Sequence, residues 1–128
     1  MNLSKVLFGF FVLLAATLNF GFFIGDLEVT AHHNPVELFA ALVVSLIVTV
    51  MKLGERTQRG AVILAASLVA DLQLIIAATA WAYYDTTGAS GISGAEMATV
   101  VSLSGGALVA NLVSVVLLVI ETATFDRR

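Results

Sequence analysis

The chain has 128 residues, of which 59% are hydrophobic and 12% charged, and its mean hydropathy is +1.02. A soluble domain carries about 25% charged residues. There is too little polar surface here to wrap a water-soluble globule, which excludes a soluble enzyme, a nucleic-acid-binding domain and a disordered chain. With a net charge of −3 and no cysteine, the chain has no disulfide framework, thiolate zinc site or iron–sulfur cluster. The class that remains is an integral membrane protein.

Four apolar runs set the organisation. Residues 6–24 carry no charge, residues 36–51 only Glu37, residues 61–84 only Asp71, and residues 97–120 none. About 20 helical residues cross a hydrocarbon layer of ~30 Å. The runs are too long, and alternate too little, for β-spans of about 10 residues. The expected fold is all-α: a four-helix transmembrane bundle in one domain, residues 1–128, with spans near 5–25, 35–53, 60–84 and 95–121. The second run is short and must stand nearly upright or borrow its flanks. The first exceeds the 7–15 apolar residues of a signal peptide, so it is read as a retained span.

The breaks carry helix-start chemistry. Asn34-Pro35-Val36-Glu37 reads as an N-cap, a proline in the first helical position and the acid of a capping box. Ser93-Gly94-Ala95-Glu96 repeats the device before the fourth span. Gly54 and Gly60 bracket a short polar turn, and Gly88, Gly91 and Gly94 predict a flexible connection between spans three and four.

Lys5, Lys52, Arg56, Arg59, Arg127 and Arg128 all fall on one side of a chain that threads four times. The positive-inside rule makes that side cytoplasmic, with both termini there. The opposite loops hold Asp26, Glu28, Glu37, Asp85 and Glu96 and no cation, and Trp81, Tyr83 and Tyr84 fall at that end of span three, where an aromatic belt belongs.

Asp71 is the most informative residue. It falls near mid-membrane, where an acid costs roughly 2.5–3.5 kcal/mol on insertion scales. That cost is sustained only if the carboxyl faces protein or water. It then serves either as an ion or proton site or as a paired acid that holds helices together. Ser67 lies one turn away on the same face, whereas Gln73 points oppositely. Polar groups on both faces of one span imply self-association through spans three and four; the alternative is a Gln73 partner within the same bundle.

Asn111 lies at matching depth in span four, on one face with Ser104, Ala107 and Ser114. Ser102, Gly106, Ala110 and Ser114 form a ladder of small residues that allows close helix approach. Gly105 and Gly106 either pack tightly or loosen the helix to expose carbonyls to an ion. Asn19 lies about one turn further out than Asp71, and Ser45 and Thr49 share a face of span two. Such hydroxyls commonly bond their own i−4 carbonyls. Asp71, Asn111, Asn19 and Ser45 together suggest a polar layer whose hard oxygens suit a monovalent or divalent cation or a proton.

The outer mouth is assigned to Asp26, Glu28, His32, His33 and Glu37, a negative rim that concentrates cations. Adjacent histidines point opposite ways in an extended chain, so a shared metal is disfavoured and the metal, if any, stays unknown. There is no nucleophile elbow, phosphate loop or metalloprotease spacing, so no enzyme and no cofactor are expected.

The segments Gly21-Phe22-Phe23-Ile24-Gly25-Asp26, His32-His33-Asn34, Leu68-Val69-Ala70-Asp71-Leu72-Gln73 and Ser102-Leu103-Ser104-Gly105-Gly106-Ala107 resemble a family of short, four-span bacterial inner-membrane proteins of unknown function. The resemblance covers nearly the whole chain. It implies four helices in a bacterial inner membrane and carries no activity. Small multidrug transporters differ in placing their essential acid in the first span, and fluoride channels carry a Thr-Thr-Phe-Ser-Thr-Phe stretch that is missing here. Three readings remain: an oligomeric cation channel or cation- or proton-coupled transporter using Asp71, a non-conducting accessory subunit of a larger membrane complex, and a quinone- or lipid-binding scaffold. The expected partners are lipid, a second copy of the chain and a cation, with no nucleic acid.

Overall fold

The computed structural model describes residues 3–24, 33–53, 58–88 and 91–126, with the backbone alone at 59 and 124–126. These residues form α1 (Leu3–Phe23), α2 (Pro35–Lys52), α3 (Gln58–Thr87) and α4 (Gly94–Asp126), with no strand among them. All four helices are long and apolar enough to cross a membrane. The boundaries match the expected spans closely, and α3 and α4 run several residues further at their ends.

Local chemistry explains the helix starts. Asn34 has extended backbone and accepts a 2.8 Å bond from Val36 N–H through its side chain, while Pro35 occupies the first turn, where no amide hydrogen is needed. Before α4, Ser93 and Glu96 form a reciprocal capping box, at 3.0 Å from Ser93 N–H to the carboxylate and 3.1 Å from Glu96 N–H to the hydroxyl. Between α3 and α4 Gly88 serves close approach and Gly91 a left-handed backbone. A Cβ at Gly88 would lie 2.5 Å from the Gly91 carbonyl oxygen, and Gly91 has φ of +88°.

The helices alternate in direction and form a closed ring in which α1 packs on α2, α2 on α3, α3 on α4 and α4 on α1. Two apolar clusters occupy its ends. Phe22, Leu38, Leu74, Ala77, Met97 and Val100 fill the end carrying Glu37 and Glu96 (the acidic end). Phe8, Val12, Val48 and Ile63 fill the end carrying Lys5 and Lys52 (the lysine end). Five buried polar side chains fall where one cluster gives way to the other: Asn19 between Val12 and Phe22, Ser45 between Ala41 and Val48, Ser67 between Ile63 and Ala70, Asn111 and Ser114 between Ala110 and Val115; buried His33 lies instead at the acidic end, beside Phe22.

Phe10, Val43, Leu72, Val109 and Val119 point outward and are exposed. This apolar exterior around a polar middle is the arrangement lipid favours, since tails solvate Leu and Val but offer no hydrogen bonds. The contact between α3 and α4 is the most extensive. Buried Ala70, Ala77, Ala78, Ala107 and Ala110 let their backbones approach. Stability then rests on packing and internal hydrogen bonds rather than on expulsion of apolar surface from water. Truncating fully buried Phe22 to alanine is expected to lower stability by roughly 3–5 kcal/mol through the cavity it leaves. Val119→Ala on the outward face should stay within about 0.5 kcal/mol. Unfolding titrations in mixed micelles measure both, and equal losses would contradict this division into buried and lipid-facing surfaces.

Candidate functional site

Asp71 lies on α3 against α2 and is only 5% exposed. Its two carboxyl oxygens each meet one hydroxyl. Ser45 Oγ donates to Oδ1 at 2.6 Å, and Thr49 Oγ1 bonds Oδ2. Ser45 and Thr49 are four residues apart on α2, so one helical turn presents both hydroxyls to the same carboxyl. Thr49 Oγ1 also lies 3.0 Å from the Ser45 carbonyl oxygen, the usual i−4 bond of a threonine in an apolar helix. Ser67 is buried one turn toward the lysine end on the same face of α3. The ammonium of Lys52, one turn beyond Thr49, sits 4.5 Å from the centroid of the Phe8 ring. Asp71 is thus held by neutral hydroxyls, which removes much of the cost of burying it.

Asn19 forms a second polar centre, between α1 and α4, and is fully buried. With its amide turned so that donors meet acceptors, its nitrogen donates to the Ser104 carbonyl at 2.9 Å. Its oxygen accepts from Leu108 N–H at 3.0 Å and from the Asn111 amide at 3.1 Å. One side chain therefore addresses both ends of a single backbone rung of α4 and ties in Asn111. Helix α4 is continuous through Gly105 and Gly106. A Cβ at Gly105 would lie 2.7 Å from the Phe23 ring, and one at Gly106 would lie 2.3 Å from Gln73 Oε1. These glycines admit neighbouring side chains, and the Ser104 carbonyl beside them is taken up by Asn19.

Gln73 accordingly packs on α4 of its own chain. Both polar faces of α3 have neighbours within one bundle, Asp71 on α2 and Gln73 on α4. Packing within one bundle thus covers both of these faces without a second copy, although among the described residues the Gln73 amide oxygen is left without a hydrogen bond there. Gln73 Oε1 and Ser114 Oγ are buried without a hydrogen-bond partner among the described residues.

Of the residues assigned to the outer mouth, Asp26, Glu28 and His32 lie outside the described residues. His33 is 2% exposed, not a rim residue. Its Nδ1 lies 2.5 Å from the Phe22 carbonyl oxygen, so that nitrogen carries the hydrogen and satisfies an orphan acceptor in the last turn of α1. The imidazole also stacks at a tilt on the Phe22 ring, whose other neighbour is Trp81. The Glu37 carboxylate lies against Gly21 of α1, where a Cβ would collide with it. Among the described residues no three His, Cys, Asp or Glu side chains gather to hold a metal. Tyr83 is exposed at the acidic end, in edge contact with Tyr84, as a membrane-interface aromatic should be.

Five of the six residues assigned to the polar layer are buried: Asp71, Asn111, Asn19, Ser67 and Ser45, with Gln73 half-buried. Asp71 with Ser45 and Asn19 with Asn111 form two hydrogen-bonded centres, while Ser67 and Gln73 stand apart from both, so the six do not make one continuous layer. Thr49 and Ser104 belong to these centres. Thr49 shares a helical face with Ser45, four residues away, which is its sequence signal, whereas Ser104 enters through its main-chain carbonyl, which no side-chain pattern marks. A double-mutant cycle of Asn19→Ala and Asn111→Ala should give a coupling of about 0.6 kcal/mol, the usual size inside a membrane. Strict additivity of the two losses would contradict the bridge between α1 and α4.

Comparison with curated proteins and with solved structures finds no match. A family of unknown function, DUF6394, matches residues 32–122, a stretch that includes α2, α3, Asp71 and Asn111. A match over most of the chain places this protein in that family: it is a member of DUF6394, a four-helix protein of membrane-spanning character.

Proposed function

We propose that the protein is a small cation channel or cation- or proton-coupled transporter of the bacterial inner membrane, oligomeric and with both termini cytoplasmic, in which Asp71 is the exchanging group. The observation that carries this reading is a carboxyl placed mid-span, with a hydroxyl from a neighbouring helix on each of its oxygens. A membrane helix keeps an acid at that depth against a cost of several kcal/mol on the order of 3. Hard oxygens in a small cluster suit protons and hard cations. The reading involves no catalysis.

A second reading, a non-conducting accessory or scaffold subunit, is favoured by the completeness of those same bonds. A carboxyl satisfied by Ser45 and Thr49 also fastens α2 to α3 and needs no ion. Reconstitution in proteoliposomes separates the two. Flux of cations or protons above that of protein-free vesicles, reduced by an order of magnitude or more in Asp71→Asn, is the expected result. Equal flux in both proteins, or none in either, removes the transport reading, and a stoichiometric partner retained in mild detergent would establish the accessory one.

A further inference from the structure

We propose that the species exchanged at Asp71 is a proton, and that Thr49 is the positioning residue that lets the carboxyl gain and lose it in place. This rests on the reading of Asp71 as the exchanging group and names what is exchanged. Thr49 Oγ1 stands between two acceptors, Asp71 Oδ2 and the Ser45 carbonyl oxygen at 3.0 Å. A hydroxyl has one hydrogen to give and can also accept, so it cannot donate to both oxygens at once.

Counting hydrogens gives two arrangements of the same heavy atoms. With Asp71 ionised, Ser45 Oγ–H donates to Oδ1 and Thr49 Oγ1–H donates to Oδ2. With Asp71 protonated on Oδ2, the new O–H donates to Thr49 Oγ1, and the threonine hydrogen rotates to the Ser45 carbonyl. The Ser45 bond to Oδ1 is kept throughout. The protonated state holds one more hydrogen and one more positive charge, both on the carboxyl; the proton is taken from a hydronium ion and given back to water, and within the protein no covalent bond other than Oδ2–H forms or breaks. Every oxygen of the cluster stays partnered in both states, so neither leaves an unsatisfied polar atom in the low-dielectric interior.

Among hard species, a divalent cation fits this cluster less well than a proton does. Calcium takes 6–8 oxygens and magnesium about six. Here one carboxylate and two hydroxyls are present, and in the ionised state both hydroxyl hydrogens point at the carboxylate, where a metal would have to sit. No second carboxylate joins them among the described residues.

The charged groups on surrounding elements stand at helix ends. On α2 these are Glu37, against Gly21, and Lys52, over the Phe8 ring. On α4 they are Glu96, engaged in its capping box, with Glu121 and Asp126 at the other end. On α1 it is Lys5, and on α3 Arg59 and Asp85, both near the ends of that helix.

Infrared difference spectroscopy of the full chain in liposomes, recorded on acidification, tests this together with proton flux. A carboxylic-acid band that appears in the wild type and vanishes in Asp71→Asn is expected. Thr49→Val keeps the shape and removes the acceptor of the acid hydrogen. It should move the band to higher frequency and cut proton flux by an order of magnitude or more. Thr49→Ser keeps the hydroxyl and should restore both, which a packing defect would not. An unmoved band in Thr49→Val overturns the role of Thr49. Carboxylate bands that respond to Na⁺, K⁺ or Ca²⁺ rather than to acid overturn the proton while leaving Asp71 the exchanging group. Bands indifferent to acid and to all three cations, with flux unchanged by Asp71→Asn, overturn both.

Discussion

A carboxyl buried at the depth of a bilayer's hydrocarbon must find its hydrogen bonds inside the protein, and the α2–α3 seam is organised by that requirement. Asp71 receives one hydroxyl on each oxygen, both from a single turn of α2. Removing them would leave a polar group in a medium with nothing to offer it, at a loss of about 1–3 kcal/mol or more for a charged acceptor. This makes the seam specific in a way that apolar packing cannot. Lipid tails compete with leucine side chains for one another, but they do not compete for a carboxylate.

The same logic repeats around the ring with different chemistry. Asn19 joins α1 to α4 by pairing with the Ser104 carbonyl and the Leu108 N–H group. Gln73 crosses from α3 to the surface left bare by Gly106, a packing contact in which its amide oxygen makes no hydrogen bond among the described residues. His33 ties the start of α2 to the last turn of α1 through the Phe22 carbonyl. Each link is polar and shielded from lipid, while the exterior stays apolar. The bundle thus inverts the pattern of a water-soluble protein. Its two apolar clusters fill the ends, and apart from the His33 link at the acidic end its buried hydrogen-bonding groups hold the middle.

Much of the architecture was legible because membrane spans are written in composition. Asn34-Pro35 and Ser93–Glu96 mark two of the helix starts, and uninterrupted apolar runs mark the four helices to within about five residues. Asp71 was legible for the same reason: one acid in a run of apolar residues stands out. Its partners were not, because Ser45 and Thr49 look like any hydroxyls that bond their own backbone, and only the packing of α2 on α3 brings them to a carboxyl. Gln73 misled in the opposite sense. Helical geometry rightly set it away from Asp71, but only the path of α4 reveals that this far side is also interior. His33 reads as a loop residue on a charged rim, and its burial depends on the Phe22 ring beside it. Pairing between helices is long-range information that periodicity along one helix does not contain.

The central claim is that the carboxyl of Asp71 faces the hydroxyls of α2 inside the bundle. Solid-state NMR of the isotopically labelled protein in lipid bilayers addresses it directly. The side-chain carboxyl carbon of Asp71 should correlate with the β-positions of Ser45 and Thr49 and show no transfer from lipid acyl protons. Strong transfer from the acyl chains, without correlations to those two residues, would contradict the account.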